Sequence, residues 1–219
     1  MAKKILAICA ALIALAAVPA VASASPELQT SGGTKVAVGT AIKGTNNGNT
    51  ILTSSFGNVT CTSSTLEGKV TENSGTSIKG EISTATYTGT GPSSRCTTTL
   101  IGLNGQNLTA QVTVQNLPYE LVSTSGVDRA DIQDPTALKF TFDLFESTGT
   151  SAGSCTFERT AAEGGIVSSY ETNKSPLELT VIENNVFKRV SGTTLCPSTG
   201  TLDAKYILRT STGGELKIV

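Results

Sequence analysis

Leu108, Ala110, Val112 and Val114 alternate one for one with Thr109, Gln111, Thr113 and Gln115, and no other feature restricts the fold so tightly. Successive side chains of a strand point to opposite faces, so this pattern sends four apolar groups to a core and four polar ones to water. The same period runs through Leu138, Phe140, Phe142 and Leu144, and through Leu202, Ala204, Tyr206 and Leu208, with Ile207 as an exception. Antiparallel sheets with one wet face read this way. Weaker strand signals lie at residues 36–42, 50–54, 59–63, 78–87, 177–182, 186–190 and 215–219. Turn clusters separate them: Asn46-Asn47-Gly48-Asn49, Asn73-Ser74-Gly75, Gly89-Thr90-Gly91-Pro92, Asn104-Gly105, Asn184-Asn185 and Thr212-Gly213-Gly214. Beyond the first two dozen residues no useful stretch has apolar side chains at helical spacing, which excludes a helical domain. Many short strands with frequent turns imply a sandwich or a barrel. The expectation is an all-β, antiparallel β-sandwich.

The start of the chain follows a different rule. Lys3 and Lys4 precede an apolar run over residues 5–18, and Pro19 opens a series of small residues ending at Ala24. A short basic segment, a short apolar segment and small residues before a cut describe a helical, cleavable secretory signal peptide over residues 1–24. Ala22 and Ala24 supply the small side chains the peptidase requires, placing cleavage between Ala24 and Ser25. Residues 25–34 then form a flexible mature N-terminus and residues 35–219 the β body. Cys9 leaves with the signal, and its place inside the apolar run does not suit a lipoprotein acceptor. Without Lys3 and Lys4 the mature chain keeps 14 basic against 17 acidic residues, a formal charge of −3. There is no basic stripe to hold a phosphate backbone, so nucleic acid is not an expected partner. No apolar stretch long enough to span a membrane remains after cleavage. Scarce aromatics and paired cysteines also argue against an outer-membrane barrel.

Four cysteines are left: Cys61, Cys96, Cys155 and Cys196. In an exported chain an even number reads as two disulfides, for which four cysteines allow three connectivities. Cys61–Cys96 with Cys155–Cys196 is favoured because sequential pairs suit two consecutive β-units. Each bridge would contribute about 4 kcal/mol by the loop-entropy relation. The halves over 35–116 and 137–219 echo one another in their order of strand, cysteine, glycine, strand and cysteine. Residues 117–136, with Pro118, Pro135, Asp128, Asp131 and Asp134, read as a connector between them.

The chain has no His, which removes the usual base of Ser-His-Asp and Cys-His mechanisms and all histidine metal sites. Ser77 and Lys79 have the wrong spacing for a Ser-x-x-Lys dyad. Carboxylate pairs such as Glu72 and Glu81 exist, but nothing in the sequence singles one out as a glycosidase pair. Asp128, Asp131 and Asp134 could offer oxygens to calcium, yet they lack the alternate-residue ligands and turn glycine of an EF-hand loop. No catalytic residue, cofactor or metal ligand is therefore expected.

Several segments resemble an uncharacterised family of secreted, disulfide-containing, β-rich actinobacterial proteins. They are Ser25-Pro26-Glu27-Leu28, residues 39–46 (Gly-Thr-Ala-Ile-Lys-Gly-Thr-Asn), Val59-Thr60-Cys61-Thr62-Ser63, Asn73-Ser74-Gly75-Thr76, Gly89-Thr90-Gly91 and Leu195-Cys196-Pro197. That resemblance implies export and assigns no activity. With it, the sequence points to a secreted, non-enzymatic cell-envelope or extracellular-matrix protein whose partners are cell-surface or matrix components. The alternative is a secreted binding module for a small ligand or polysaccharide; an unrecognised hydrolase is more remote.

Overall fold

The computed structural model describes residues 26–102, 105–124, 127–134, 137–182 and 185–219. The expected signal peptide and its Ala24–Ser25 junction lie outside these residues. Within them the alternating stretches form strands whose apolar sets face inward. Leu138, Phe140, Phe142 and Leu144 are buried, as are Leu202, Ala204, Tyr206 and Leu208.

In chain order the strands are β1 (Leu28–Thr30), β2 (Ala41–Asn46), β3 (Thr50–Ser54), β4 (Gly57–Cys61), β5 (Ser63–Asn73) and β6 (Ser77–Thr88). They continue as β7 (Cys96–Ile101), β8 (Asn107–Gln115), β9 (Tyr119–Thr124), β10 (Arg129–Gln133), β11 (Ala137–Phe145) and β12 (Ser151–Thr160). The last are β13 (Ile166–Ser169), β14 (Leu177–Val181), β15 (Val186–Gly192), β16 (Thr199–Asp203), β17 (Lys205–Thr210) and β18 (Leu216–Ile218). Single 3-10 turns at Pro92–Ser94 and Ala161–Glu163 complete the elements among the described residues.

These strands close into two barrels, not the expected sandwich. The first barrel is the ring β2-β5-β6-β9-β10-β13-β14-β17, and the second is β3-β4-β7-β8-β11-β12-β15-β16. Every pairing is antiparallel, and the rings shut where β9 meets β10, β17 meets β2, β8 meets β11 and β16 meets β3. Alternation tells which way a side chain points, but a sandwich and a barrel share that alternation.

The chain changes barrel after every even-numbered strand from β2 to β16. Eight long strands, each passing through both barrels, therefore form one up-and-down meander with a break between the rings. Only Thr62 separates β4 from β5, and only Ala204 separates β16 from β17. A break costs ladder hydrogen bonds, and buried backbone groups need replacements. Side-chain amides supply them. Asn46 accepts from the Ser64 N–H at 2.9 Å and donates to the Thr62 carbonyl at 3.0 Å. Asn185, 1% exposed, accepts from the Val167 N–H at 2.8 Å and donates to the Val167 and Ile182 carbonyls.

The echo between halves appears in the topology: β2 to β9 have counterparts in β10 to β17, eight strands later. The halves are nevertheless not separate units, because each barrel takes four strands from each. The expected connector over 117–136 is corrected as well, since it holds β9 and β10, whose mutual pairing closes the first barrel. Its aspartates mislead because Asp131 faces outward, held by Arg129 at 2.7 Å. The expected flexible segment over 25–34 contains β1, which pairs with β18 and buries Leu28.

Candidate functional site

The inward positions of the first barrel are aliphatic or very small. Strands β2, β5 and β6, with neighbouring β9, bring Ile42, Leu66, Val70, Ile78, Ile82 and Leu121 to the wall, interspersed with Gly44, Gly68 and Gly80. Strands β10, β14 and β17 contribute Ile132, Leu177, Leu179, Val181 and Leu208. The space they enclose is an apolar chamber of about 80 Å³. In the second barrel a void beside Leu52, Phe142 and Phe157 measures about 10 Å³, no more than one water's room.

The three glycines have different reasons to be there. A Cβ on Gly68 would lie 1.7 Å from the Glu81 carbonyl oxygen, so the backbones of β5 and β6 approach too closely for any side chain. One on Gly44 would meet the Leu208 Cδ2 at 2.9 Å. On Gly80 the nearest atoms would be the Lys69 carbonyl oxygen at 3.5 Å and the Leu121 Cβ at 3.8 Å, ordinary contacts.

The polar side chains along the wall are already satisfied. Ser168 donates to the Ala130 carbonyl at 2.7 Å, and the Ser123 and Tyr170 hydroxyls share a 2.7 Å hydrogen bond. The Tyr206 hydroxyl accepts from Ser64 at 3.2 Å. Glu67, Lys69, Lys79 and Glu81 alternate with the glycines, and their charges pair on half-exposed side chains: Lys43–Glu67 at 3.3 Å, Lys69–Glu81 at 3.6 Å and Lys79–Glu120 at 3.5 Å. Among the described side chains that line the chamber, no buried polar atom is left without a hydrogen-bond partner.

One end of the chamber is capped by the ribbon of β1 and β18, a two-stranded sheet separate from either ring. Leu28, Leu216 and Ile218 line the chamber from this ribbon. Asn73, at the end of β5, latches it by accepting from the Leu28 N–H at 2.9 Å and donating to the Leu28 and Val36 carbonyls at 2.8 and 2.9 Å. The Asn173 N–H adds a 2.7 Å bond to the Ile218 carbonyl.

Tyr87, Tyr119 and Tyr206 gather toward the other end, where the rings meet. Thr50 and Ser64, both buried, share a 2.8 Å hydrogen bond, and Ser64 leads on to Tyr206. The Tyr119 hydroxyl accepts the Lys139 N–H at 2.9 Å and donates to the Gln115 carbonyl. Burial pushes the Tyr119 hydroxyl up to about 12 against the opposing hydrogen bond from Lys139. Burial, reinforced by Tyr206, raises Tyr87 well above the usual tyrosine value. Burial thus holds the Tyr87 and Tyr119 hydroxyls neutral.

Both disulfides lie in the second barrel. Cys61 and Cys96 join β4 to β7 with Cα atoms 4.5 Å apart, and Cys155 of β12 joins Cys196, after β15, at 5.5 Å. Cys61 and Cys155 stand eight strands apart, and their bridges run from β4 to the neighbouring β7 and from β12 to the turn after the neighbouring β15. The carboxylates weighed for calcium are not brought together: Asp128 accepts from Thr172, Asp131 holds Arg129, and Asp134 accepts from the Ala137 N–H at 2.8 Å. Among the described residues no cluster of three or more potential metal ligands forms. Ser77 donates to Glu72 at 2.5 Å, and Lys79 lies 3.9 Å from the same carboxylate, so Ser77 and Lys79 are both engaged with Glu72. Glu81 pairs with Lys69 instead.

The sequence reading missed the chamber although a signal for it was present. Ile78, Gly80 and Ile82 share one face of a strand, and a glycine between two inward isoleucines marks missing volume in a core. Compared with protein-family models, with curated proteins and with solved structures, the chain matches none.

Proposed function

We propose that this protein is a secreted, non-catalytic binding protein that holds a small apolar ligand inside its first barrel. The observation carrying this reading is the chamber itself: a closed ring with aliphatic walls, satisfied polar groups and a separate ribbon across one end. Interiors normally fill at crystal-like density, so a hollow of this size beside a neighbour of the same topology whose void is only about 10 Å³ is a feature to account for. Binding pockets are typically concave and mostly apolar, at roughly 300–1,000 Å³. At about 80 Å³ this one suits a compact ligand. Export is supported by the basic, apolar and small-residue segments of the opening sequence and is compatible with two disulfides. The non-catalytic part of the reading rests on the His-free sequence and on carboxylates engaged in surface pairs.

The test is native mass spectrometry of the protein recovered from the medium of its producing cells. A bound species, released on extraction with organic solvent and absent from a variant with a filled chamber, is expected. Protein that carries only its own mass, and whose melting temperature no apolar compound changes, would overturn the proposal.

A second reading, as an envelope or matrix component, draws on the far end of the second barrel. Phe56 and Ile101 are 59% and 60% exposed there, at the tips of hairpins joined through β4 and β7. If they anchor the protein to a surface partner, Phe56→Ser with Ile101→Ser should move it from the cell-wall fraction to the medium. An unchanged distribution between fractions removes this reading.

A further inference from the structure

Resting on the chamber reading above, we infer that the ligand is a compact molecule without a hydrogen-bonding group, and that Gly80 sets the room available to it. The first part follows from Ser123, Ser168 and Tyr206. Their hydroxyls already bond to partners within the protein, so a ligand hydroxyl or carboxylate would have to share or displace an existing bond to be satisfied. An apolar ligand carries no such penalty. It exchanges water for aliphatic side chains on every side, which a small dry cavity can reward even at modest size.

The second part follows from the contrast among the three glycines. Gly68 is demanded by the backbone of Glu81, whereas a side chain on Gly44 would press on the movable tip of Leu208. Gly80 is demanded by neither. It sits in the middle of β6 between Ile78 and Ile82, pairs with Val70 and Leu121, and is not among the glycines with positive φ. A methyl group would fit there and would face the chamber. Glycine inside a strand is destabilising by roughly 0.5–1 kcal/mol relative to alanine, and an unfilled hollow adds to that cost. A side chain missing where one fits, in the wall of an otherwise unexplained space, is what a ligand-sized opening requires. Stability given up at a functional site is a recurrent pattern.

The experiment uses the mature protein with three probes: xenon, 1-chloropropane and 1-propanol. Xenon is followed by its own NMR shift and the other two by ligand-induced chemical-shift changes of the Ile78, Ile82 and Leu121 methyls. The parent protein should bind xenon and 1-chloropropane, and bind 1-propanol roughly tenfold or more weakly, because only the alcohol buries a hydroxyl that must share or displace an existing bond. Gly80→Ala should melt about 2–4 °C higher than the parent and bind more weakly. Gly80→Val should lose 1-chloropropane by tenfold or more. No binding of any probe to the parent overturns the chamber reading itself. Equal affinity for the alcohol and the chloride leaves the chamber standing and overturns the ligand class. Binding unchanged in folded Gly80→Ala and Gly80→Val overturns the assignment of Gly80 alone.

Discussion

The two barrels are threaded by the same eight long strands, yet they are filled by different chemistry. All six phenylalanines belong to the second barrel or its hairpins, and all four tyrosines to the first or its connections. In the second, Phe140 meets Phe187 edge-on at 5.2 Å and Phe142 meets Phe157 at 5.7 Å, while one disulfide ties β4 to β7 and the other ties β12 to the turn after β15. In the first, aliphatic side chains and glycines leave a hollow, and Tyr119 and Tyr206 reach for polar partners where the rings meet. Ring closure therefore does not decide whether a small barrel is a solid core or a vessel. The size of the inward residues does.

The sharpest way to break this contrast is to charge the solid core. Phe142 is 5% exposed, and Phe142→Asp should prevent folding, because a buried carboxylate there has no partner. A soluble variant with the parental melting temperature would show that the second barrel is not the packed one. Next in size is removal of the bridges. Cys155→Ala with Cys196→Ala should lower stability by about 4 kcal/mol in denaturant titration, chiefly by freeing the unfolded chain. A loss below about 1 kcal/mol would mean that the aromatic core alone holds this barrel.

A gentler substitution compares the barrels directly. Leu52→Phe overpacks the filled barrel and should cost about 1–3 kcal/mol. Leu179→Phe points into the chamber and should cost less than about 1 kcal/mol while weakening binding of apolar probes. Equal costs would mean that the chamber collapses in solution. The smallest effect is alkaline. Tyr119 has a folded value of about 12, above its ordinary 10, so its contribution is complete below pH 10 and declines as pH rises toward 12. Tyrosinate absorbance should therefore appear together with loss of first-barrel methyl signals. Ionisation of all tyrosines at pH 10 without unfolding would contradict the buried waist.

Much of the strand content is legible in the sequence, because the alternation around Phe140 and Leu108 fixes both conformation and facing. The disulfide pairing was among three open possibilities, and the sequential one is present. Closure is not legible. Asn46-Asn47-Gly48-Asn49 and Asn73-Ser74-Gly75 have the same local chemistry, yet the first carries a long strand from one ring to the next and the second reverses the chain in a hairpin. Asn and Gly favour departures from regular extended structure, and that preference is indifferent to where the chain goes afterwards. Strand β12 escaped notice because Ser151, Gly153 and Ser154 blur its period, and β9 because Pro118 and the following acidic residues look like linker. Of the candidate site, only the gap at Gly80 could be read in advance. The ribbon could not, since nothing local announces that residues 28–30 and 216–218 will pair.

That ribbon also orders events in time. Its two strands come from opposite ends of the described chain, and β17 must likewise find β2 before the first ring is shut. Both pairings join residues 28–46 to residues 205–218, so sealing the vessel depends on contacts that span nearly the whole described chain. Contacts this distant in sequence are slow to form. Until they do, the hydrophobic wall of the first barrel stands open to whatever apolar molecule is nearby, and assembly itself offers a moment at which a ligand can be taken in.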